Sequence, residues 1–472
     1  MDEIVVIGGG VVGLGLGMML ARDDHAVTLL ERDDQPAPED AEEAWTSWER
    51  KGVNQFRLAH LFLPRYRQII ERELPEVAAR LEKDGAVRFN PVSDAPDFIT
   101  GGARDGDDRF QMLSGRRAVV ERSVASVAEE TPGLRVRRGV SVEGLACGSE
   151  AISGVPHVTG VRTTDGEELS AELVIDCSGR RSALPIWLEA AGAQKPEDEV
   201  ADSGFIYLGR HFRSRDGQLP VSLGPGLQPY GSISVLTLPA DNKSWSVTLI
   251  ARSGDRALLG LKDVQRWQNV VRSLPTAAHW LEGDPIEEQI VVMAKIEDRH
   301  REMRPGGTPV ATGILAVADA WACTNPSVGR GASMGMAHAQ VLRNTLRQTG
   351  LDRPAELSDA FAAASAATVE PWYRGTLSFD RHRLAEMEAV ADGTTYDPGD
   401  PEYEITSALA LASSKDPDVF RGFIDIVSVL ELPDAVLARP GLLEQVIELG
   451  ADWRNQPAIG PNRDELVAMA TA

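Results

Sequence analysis

A short apolar strand that runs straight into three glycines is the feature that most restricts this chain. Ile4 to Ile7 is an unbroken apolar run, as in a strand buried on both faces. Gly8-Gly9-Gly10-Val11-Val12-Gly13 follows at once, with glycines in G-x-G-x-x-G spacing. Leu14 to Arg22 then reads as a helix with Leu16, Met19 and Leu20 on one face, and a second apolar strand, His25 to Leu30, ends at Glu31. Each part has a physical task. Gly8 permits a tight turn, Gly10 lets a pyrophosphate approach the backbone, and Gly13 lets the helix pack close to the strand. The free amides of the first helical turn, those of Val11 and Val12 among them, face the phosphates. Glu31, 23 residues after Gly8 and followed by Arg32, stands where a carboxylate accepts from ribose hydroxyls. This motif implies a dinucleotide site. It does not separate FAD from NAD, and the carboxylate argues against a 2′-phosphorylated NADP.

The chain is long enough, at 472 residues, for two packed domains and an extension. A net charge of -23 repels phosphate backbones, which argues against nucleic-acid partners. Cys147, Cys177 and Cys323 show neither metal-ligand nor redox-pair spacing, and no metal site is expected. No apolar run is long enough to span a bilayer, and Asp2 and Glu3 stand where a targeting peptide carries basic residues. A cytoplasmic protein is expected.

A second segment decides the cofactor. The apolar run Gly313 to Ala318 leads into Asp319-Ala320-Trp321-Ala322-Cys323-Thr324-Asn325-Pro326-Ser327-Val328-Gly329-Arg330-Gly331, followed by a helical pattern over Ala332 to Arg347. This resembles the segment of flavoprotein monooxygenases in which an Asp is followed by Pro seven residues on and by glycines ten and twelve residues on. Asp319, Pro326, Gly329 and Gly331 occupy all four positions. The glycine that precedes the family's Asp is Ala318 here. The resemblance implies that Asp319 binds a ribityl hydroxyl, that Pro326, Gly329, Gly331 and Ala332 run beside the isoalloxazine, and that the helix N-terminus stabilises the anionic reduced flavin.

Leu173 to Ile175 leads into Asp176-Cys177-Ser178-Gly179-Arg180-Arg181-Ser182. This resembles the D-x-S/T-G strand end of flavin halogenases, geranylgeranyl-reductase-like enzymes and actinobacterial epoxidase-like flavoproteins, and implies cofactor contacts at Asp176 and Gly179. Aromatic hydroxylases that take hydride directly carry Asp-Gly there. The electron source is therefore either NAD(P)H or a separate flavin reductase. Ser114 to Glu121 resembles the start of the helix that carries an FAD-contacting Arg, which the R-x-x-x-E pattern assigns to Arg117 over Arg116. Trp48 to Arg65 resembles an R-x-G-V-x-Q-x-x-H-type segment that runs under the flavin, making Gln55 and His60 the polar candidates, with Pro326, at the reacting edge.

The resemblance covers residues 1 to about 350 and implies a p-hydroxybenzoate hydroxylase-like flavoprotein of an actinobacterial, D-x-S-G branch. The expected fold is α/β, a Rossmann-like FAD-binding domain with an inserted, mostly antiparallel substrate sheet and a C-terminal helical extension. The divisions are residues 1–190 (FAD domain, first part), 191–305 (substrate sheet), 306–350 (FAD domain, return) and 351–472 (helical region). Pro196 to Ser203 reads as an acidic, turn-rich boundary. Strand-like runs follow at Phe205–His211, Ser232–Leu238, Ser244–Ala251 and Gln289–Ala294, and helix-like ones at Glu404–Ser413, Asp416–Leu430 and Gly441–Leu449. Asp-Arg-His-Arg occurs twice, at Asp298–Arg301 and Asp380–Arg383, and reads as solvated surface charge. Of Trp45, Trp48, Trp321, Trp372 and Tyr373, Trp321 is best placed to line a pocket.

The function these features imply is FAD-dependent monooxygenation of a hydrophobic small molecule through a C4a-hydroperoxyflavin, by hydroxylation or epoxidation, in a monomer or homodimer. The runner-up is a flavin-dependent reductase of geranylgeranyl-reductase-like type. A halogenase is disfavoured by the lack of a W-x-W-x-I-P segment. A non-catalytic GDI-like binding protein would have no use for the Asp319–Gly331 segment.

Overall fold

The computed structural model describes residues 3–53, 55–58, 60–457 and 459–472. A five-stranded parallel sheet runs in the order Ile314–Ala316, Leu173–Asp176, Glu3–Ile7, Ala26–Glu31, Leu134–Arg138. The strand that feeds the glycines is the middle one. Its Ile4, Val5 and Val6 are fully buried because both faces of the sheet are covered, which is why they read as a continuous apolar run. Helices Val11–Ala21, Arg117–Glu129 and Gly331–Thr349 cover one face, where Leu14, Val124 and Leu342 share a core with Ile4 and Val6. The other face takes a three-stranded antiparallel sheet, Val142–Ile152, Val155–Thr163 and Glu168–Ser170, whose Leu145, Val158 and Val161 share a core with Val5 and Val174. Ile7 is in register with Asp176, and Asp176 with Ala316. The strand ends that lead into the three glycine-bearing segments therefore finish level along one edge, where parallel sheets bind ligands.

The residues between the last two of these strand segments build an antiparallel sheet, ordered Leu227–Tyr230, Ile233–Ala240, Ser244–Arg252, Phe205–Arg213, with Asp284–Pro285 and Val291–Met293 on the far edge. Period-two alternation sorts its side chains. Ile206 and Leu208 pack with helices Val264–Ser273 and Arg463–Thr471, and the Trp267 indole donates to the Leu208 carbonyl at 2.8 Å. Phe205 and Tyr207 face the other way, into a cluster with Leu58, Ile250, Met293, Ile296 and Met387.

Beyond residue 350 the chain is helical, as expected, through Pro354–Thr368, Glu370–Asp392, Pro401–Ala412, Pro417–Val427 and Leu442–Leu449. Asp400 and Asp416 cap two of these helices by accepting from their first-turn amides. Among the described residues no helix is long and apolar enough to cross a membrane, and no group of three or more His, Cys, Asp or Glu could hold a metal ion.

Two expectations fail. The stretch read as a turn-rich boundary is the exposed strand Glu197–Asp202, paired antiparallel along its whole length with Glu297–Glu302. Its polar composition hides a strand whose order comes from the partner, with Arg299 reaching Asp198 at 3.1 Å. The two Asp-Arg-His-Arg segments are mostly buried rather than solvated: Asp298, His300, Arg301, Asp380, His382 and Arg383 are all below 9% exposed, while Arg299 is half-buried and Arg381 is exposed. Each charge there has found a partner that lies far away in sequence.

Candidate functional site

The glycine corner is built tightly on one side and left open on the other. Gly8 has φ of +108°, and a Cβ there would stand 2.5 Å from the Cys177 carbonyl oxygen. A Cβ on Gly13 would stand 2.0 Å from the Gly8 carbonyl oxygen, so this glycine sets the closeness of helix and strand. A Cβ on Gly10 would meet nothing within 4 Å. The helix begins there without a side-chain cap, which leaves the amides of its first turn, including those of Val11 and Val12, for a ligand.

Glu31 lies at the end of the next strand, and its carboxylate is already engaged. Oε2 accepts from the Gly9 amide at 2.8 Å and from Arg50 at 2.8 Å, and Oε1 accepts from the Asp33 amide at 2.9 Å. Arg50 is the organiser of this corner. Its guanidinium donates to the Gly9 carbonyl at 3.1 Å and pairs with Asp33 at 3.0 Å and Glu121 at 3.4 Å. Sequence reading passed over Arg50, although it opens the very R-x-G-V-x-Q stretch that was singled out for Gln55 and His60. Arg32 points away, exposed, with its guanidinium near Gly52.

The adjacent arginines at the start of helix Arg117–Glu129 part company. Arg116 is fully buried and committed to Asp241, at 2.6 Å, and to Glu42, at 2.5 Å. Arg117 pairs with Glu121 one turn on, at 2.6 Å, and its Nη1 lies 2.8 Å from His60 Nε2. A guanidinium only donates, so His60 Nε2 accepts and its ring proton sits on Nδ1. Burial, and then the Arg117 charge, hold His60 well below its ordinary value of 6.5. A neutral imidazole with a donor left at Nδ1 is what this position offers. Gln55 is half-buried in the same turn, where its carbonyl accepts from the Leu58 amide at 3.0 Å.

At the edge of the sheet, Asp176 spends both oxygens on its own turn. Oδ1 accepts from the Ser178 amide at 2.9 Å and the Ser178 hydroxyl at 2.6 Å, and Oδ2 accepts from Ser182. Burial raises its pKa. It thus shapes the D-x-S-G turn, and the groups left facing outward are Gly179, in left-handed conformation with nothing within 4 Å of a Cβ, and Arg180. Asp319 is different. Its carboxylate takes part in no hydrogen bond among the described residues, and burial, which raises its pKa, is opposed by the Arg117 and Arg180 charges.

The residue before it, Ala318, has φ of +56°, a conformation that favours glycine. The fold supports it from the following helix. His338 Nδ1 accepts from the Ala318 amide at 3.1 Å, Nε2 lies 2.9 Å from the Ser365 hydroxyl, and Ser365 donates to the Phe361 carbonyl at 2.7 Å. The loop then passes through Asn325 and the single turn Pro326–Val328 to Gly329, with φ of +68°, and opens the helix at Gly331 with no side-chain cap. Cβ atoms on Gly329 and Gly331 would meet nothing within 4 Å. Asp319, Trp321, Thr324 and Met334 line a small cavity beside this helix start, and Ala332 stands half-buried in its first turn.

These residues fit a flavin dinucleotide. Four glycines, Gly10, Gly179, Gly329 and Gly331, stand in the strand-end segments with open space where a side chain would be. Two uncapped helix starts offer amides to anionic and carbonyl oxygens. Arg117, Arg180 and Asp319 are the charged groups between them.

Comparison with known proteins agrees. The chain matches the family of FAD dependent oxidoreductases over residues 3–339. Protein Rv3254 of Mycobacterium tuberculosis (strain ATCC 25618 / H37Rv) is 24% identical over 400 residues, 82% of either chain. Among solved structures, a flavoprotein/dehydrogenase from Cytophaga hutchinsonii superposes with a TM-score of 0.63 at 14% identity, covering 96% of this chain and 99% of its own. The probable FAD-dependent monooxygenase pqsL from Pseudomonas aeruginosa superposes with a TM-score of 0.56 at 15% identity, covering 82% and 99%. At these identities the structural likeness speaks for the fold. The family match spans both glycine motifs and more than two thirds of the sequence, and so the chain belongs to the FAD-dependent oxidoreductases and takes FAD as its cofactor.

Proposed function

We propose that this protein is a monooxygenase whose substrate is a hydrophobic small organic molecule. The observation that carries the reading is the apolar cluster of Phe205, Tyr207, Met293, Ile296 and Met387 on the inward face of the antiparallel sheet. It is bounded by Leu58, from the turn that leads to His60, and by Asn325, which Tyr207 contacts immediately before Pro326. An apolar face beside the cofactor loop suits a reaction in which water must be kept out.

Reduced FAD supplies the electrons that activate O2. The chain's own part is to hold, to orient and to exclude water. The amides of Val11 and Val12, at the Gly10 opening, bind pyrophosphate, and the Arg50-braced Glu31 shapes that corner toward the adenosine ribose. Asp319 would bind a ribityl hydroxyl, with the Arg117 and Arg180 charges opposing the upward shift that burial gives its carboxyl. The uncapped helix start at Gly331 and Ala332 would offer amides and a partial positive charge to the flavin carbonyl edge. His60, neutral and held by Arg117, presents Nδ1–H as a donor, and Gln55 adds a second polar group. Pro326 would line the reacting edge. The Asp176–Gly179 segment, in place of Asp-Gly, favours a separate flavin reductase over direct reduction by NAD(P)H.

The test is rapid mixing of the anaerobically reduced holoprotein with oxygenated buffer, with and without hydrophobic candidate substrates. A transient flavin spectrum, distinct from both reduced and oxidised forms, is expected between them. Direct return to oxidised flavin under every condition refutes the monooxygenase reading and leaves a reductase on the same scaffold.

A further inference from the structure

The two buried Asp-Arg-His-Arg segments take no part in the reading above, yet they meet at one residue of the cofactor loop. Asp298, which opens the first, accepts from the Asn325 backbone amide through Oδ1 at 2.6 Å. Asp380, which opens the second, accepts from Asn325 Nδ2 through Oδ2 at 3.1 Å. The remaining polar group of the side chain, Asn325 Oδ1, accepts from the Tyr207 hydroxyl at 2.8 Å. Asn325, Asp298, Asp380 and Tyr207 are all buried. Asn325 is thus tied at once to the strand Glu297–Glu302, to the helix Glu370–Asp392 and to the strand Phe205–Arg213 of the antiparallel sheet, and the next residue is Pro326.

Two carboxylates in one buried site are an expensive way to fill a core. Replacing such groups with apolar ones of like volume is often neutral or stabilising. Burial, with the Asp298 charge adding to it, pushes Asp380 up to about 7 against the opposing effects of Ser327, Asn325 and Arg330. Burial, with the Asp202 charge adding to it, pushes Asp298 up to about 6 against the Asn325 amide. Ser327 Oγ and Asp380 Oδ1 are both buried without a well-formed hydrogen bond, although they lie close together. Arg330, the other charged group facing Asp380, stacks 5.3 Å over the Trp372 ring and sits at the start of the helix that Gly331 opens. Asp380 thus faces Asn325, Ser327 and Arg330 of the segment Asn325-Pro326-Ser327-Val328-Gly329-Arg330.

We propose that Asn325 is a positioning residue, anchored by Asp298 and Asp380 and tied by Tyr207 to the antiparallel sheet, which sets where Pro326–Gly331 lies against the cofactor. The inference rests on the reading of that loop as an FAD contact. Its consequence is that sheet and cofactor loop move as one unit. A molecule seated on the Phe205–Tyr207 face bears on Tyr207, and through its hydroxyl on the residue that precedes Pro326.

The experiment compares Asp380→Leu, Asp380→Asn and Tyr207→Phe in the full-length, FAD-loaded protein. It reads hydrogen–deuterium exchange of residues 323–331 and the rate of FAD release. One lost hydrogen bond corresponds to roughly a tenfold change. Asp380→Leu should therefore raise loop exchange and FAD release by about tenfold or more. Asp380→Asn retains an acceptor oxygen for Asn325 Nδ2 and should stay within about twofold of the parent. Tyr207→Phe removes one hydroxyl, keeps the ring packing, and should raise loop exchange even if Asp380→Leu does not fold. Unchanged loop exchange in Tyr207→Phe and Asp380→Leu overturns the anchoring. Equal effects of Asp380→Asn and Asp380→Leu overturn the hydrogen bond as its basis. Faster exchange with FAD release unaltered overturns the link to the cofactor, and marks the assignment of the loop to FAD, rather than the anchor, as the failing step.

Discussion

Arg50 offers the sharpest test of the cofactor corner. Its side chain is only 3% exposed and faces three carboxylates, Glu31 at 2.8 Å, Asp33 at 3.0 Å and Glu121 at 3.4 Å, as well as the Gly9 carbonyl. Arg50→Met keeps the length of the stem and removes the charge. Breaking a buried ion pair by deleting one partner costs about 3–5 kcal/mol, because the other charge stays behind. Glu121 retains Arg117, and Asp33 retains some access to water. Glu31 is left worst off, so about 3 kcal/mol, the lower end, is expected. Glu31→Gln in the Arg50→Met background should recover a large part of it. Arg50→Lys should recover little, because an ammonium cannot address three carboxylates and a carbonyl from one plane. Urea denaturation at neutral pH, with the FAD release rate measured alongside, gives every number. A loss below about 1 kcal/mol, or no recovery on adding Glu31→Gln, would refute the reasoning.

Four further outcomes follow from the geometry. Gly10→Ala should weaken FAD binding by roughly 100-fold, a few kcal/mol of lost phosphate contact, while lowering stability of the FAD-free protein by less than about 1 kcal/mol. Gly13→Ala, which forces a methyl against the Gly8 carbonyl oxygen, should instead destabilise the FAD-free protein by about 1–3 kcal/mol; thermal melts with and without FAD separate the two. Burial pushes His338 down to about 3, so the stability that its neutral form supports is complete above about 6.5 and is lost as pH falls toward 3, amounting to about 2 kcal/mol by pH 5. His338→Gln should flatten the fall in urea stability between pH 7 and pH 5, and an unchanged slope would remove His338 as its source. Ala318→Gly should raise stability by about 0.5–1 kcal/mol, since glycine adopts φ of +56° without a Cβ penalty; a destabilised variant would show that the methyl's packing outweighs the strain.

The parts of the site that could be read in the sequence are those with a short-range cause. A buried parallel strand is apolar throughout, a tight phosphate turn needs glycine, and a helix start follows within a few residues. Each of these leaves its mark inside a dozen consecutive positions, and so the tight turn at Gly8, the close packing at Gly13 and the helix starts after Gly10 and at Gly331 could be named in advance. The R-x-x-x-E pattern that picks Arg117 over Arg116 has its Arg and Glu on one helix face, as the Arg117–Glu121 pair. The strand Glu197–Asp202 and the hub at Arg50 had no such mark. A charged strand is ordered by its partner, and an arginine becomes a core residue only when three acids from other segments surround it.

The same distinction explains why the repeated Asp-Arg-His-Arg tetrapeptide was misread. Four polar residues in a row carry no apolar periodicity, so local reasoning places them in water. What buries them is a meeting of two segments 82 residues apart with a third residue, Asn325, that lies between them in sequence. One tetrapeptide is on a strand, where alternate residues share a face; the other is on a helix, where residues three or four apart do. Both tetrapeptides bury their Asp, their His and their second Arg, but the strand and the helix aim them at different partners. On the strand, Asp298 and His300 point one way, toward Asn325 and Trp321. On the helix, Asp380 and Arg383 share an inward face, toward Asn325 and the Gly231 and Ile233 carbonyls. Only the leading aspartates do the same thing, and they do it to the same residue. That coincidence of position, rather than the coincidence of letters, is the reason to look for function at Asn325.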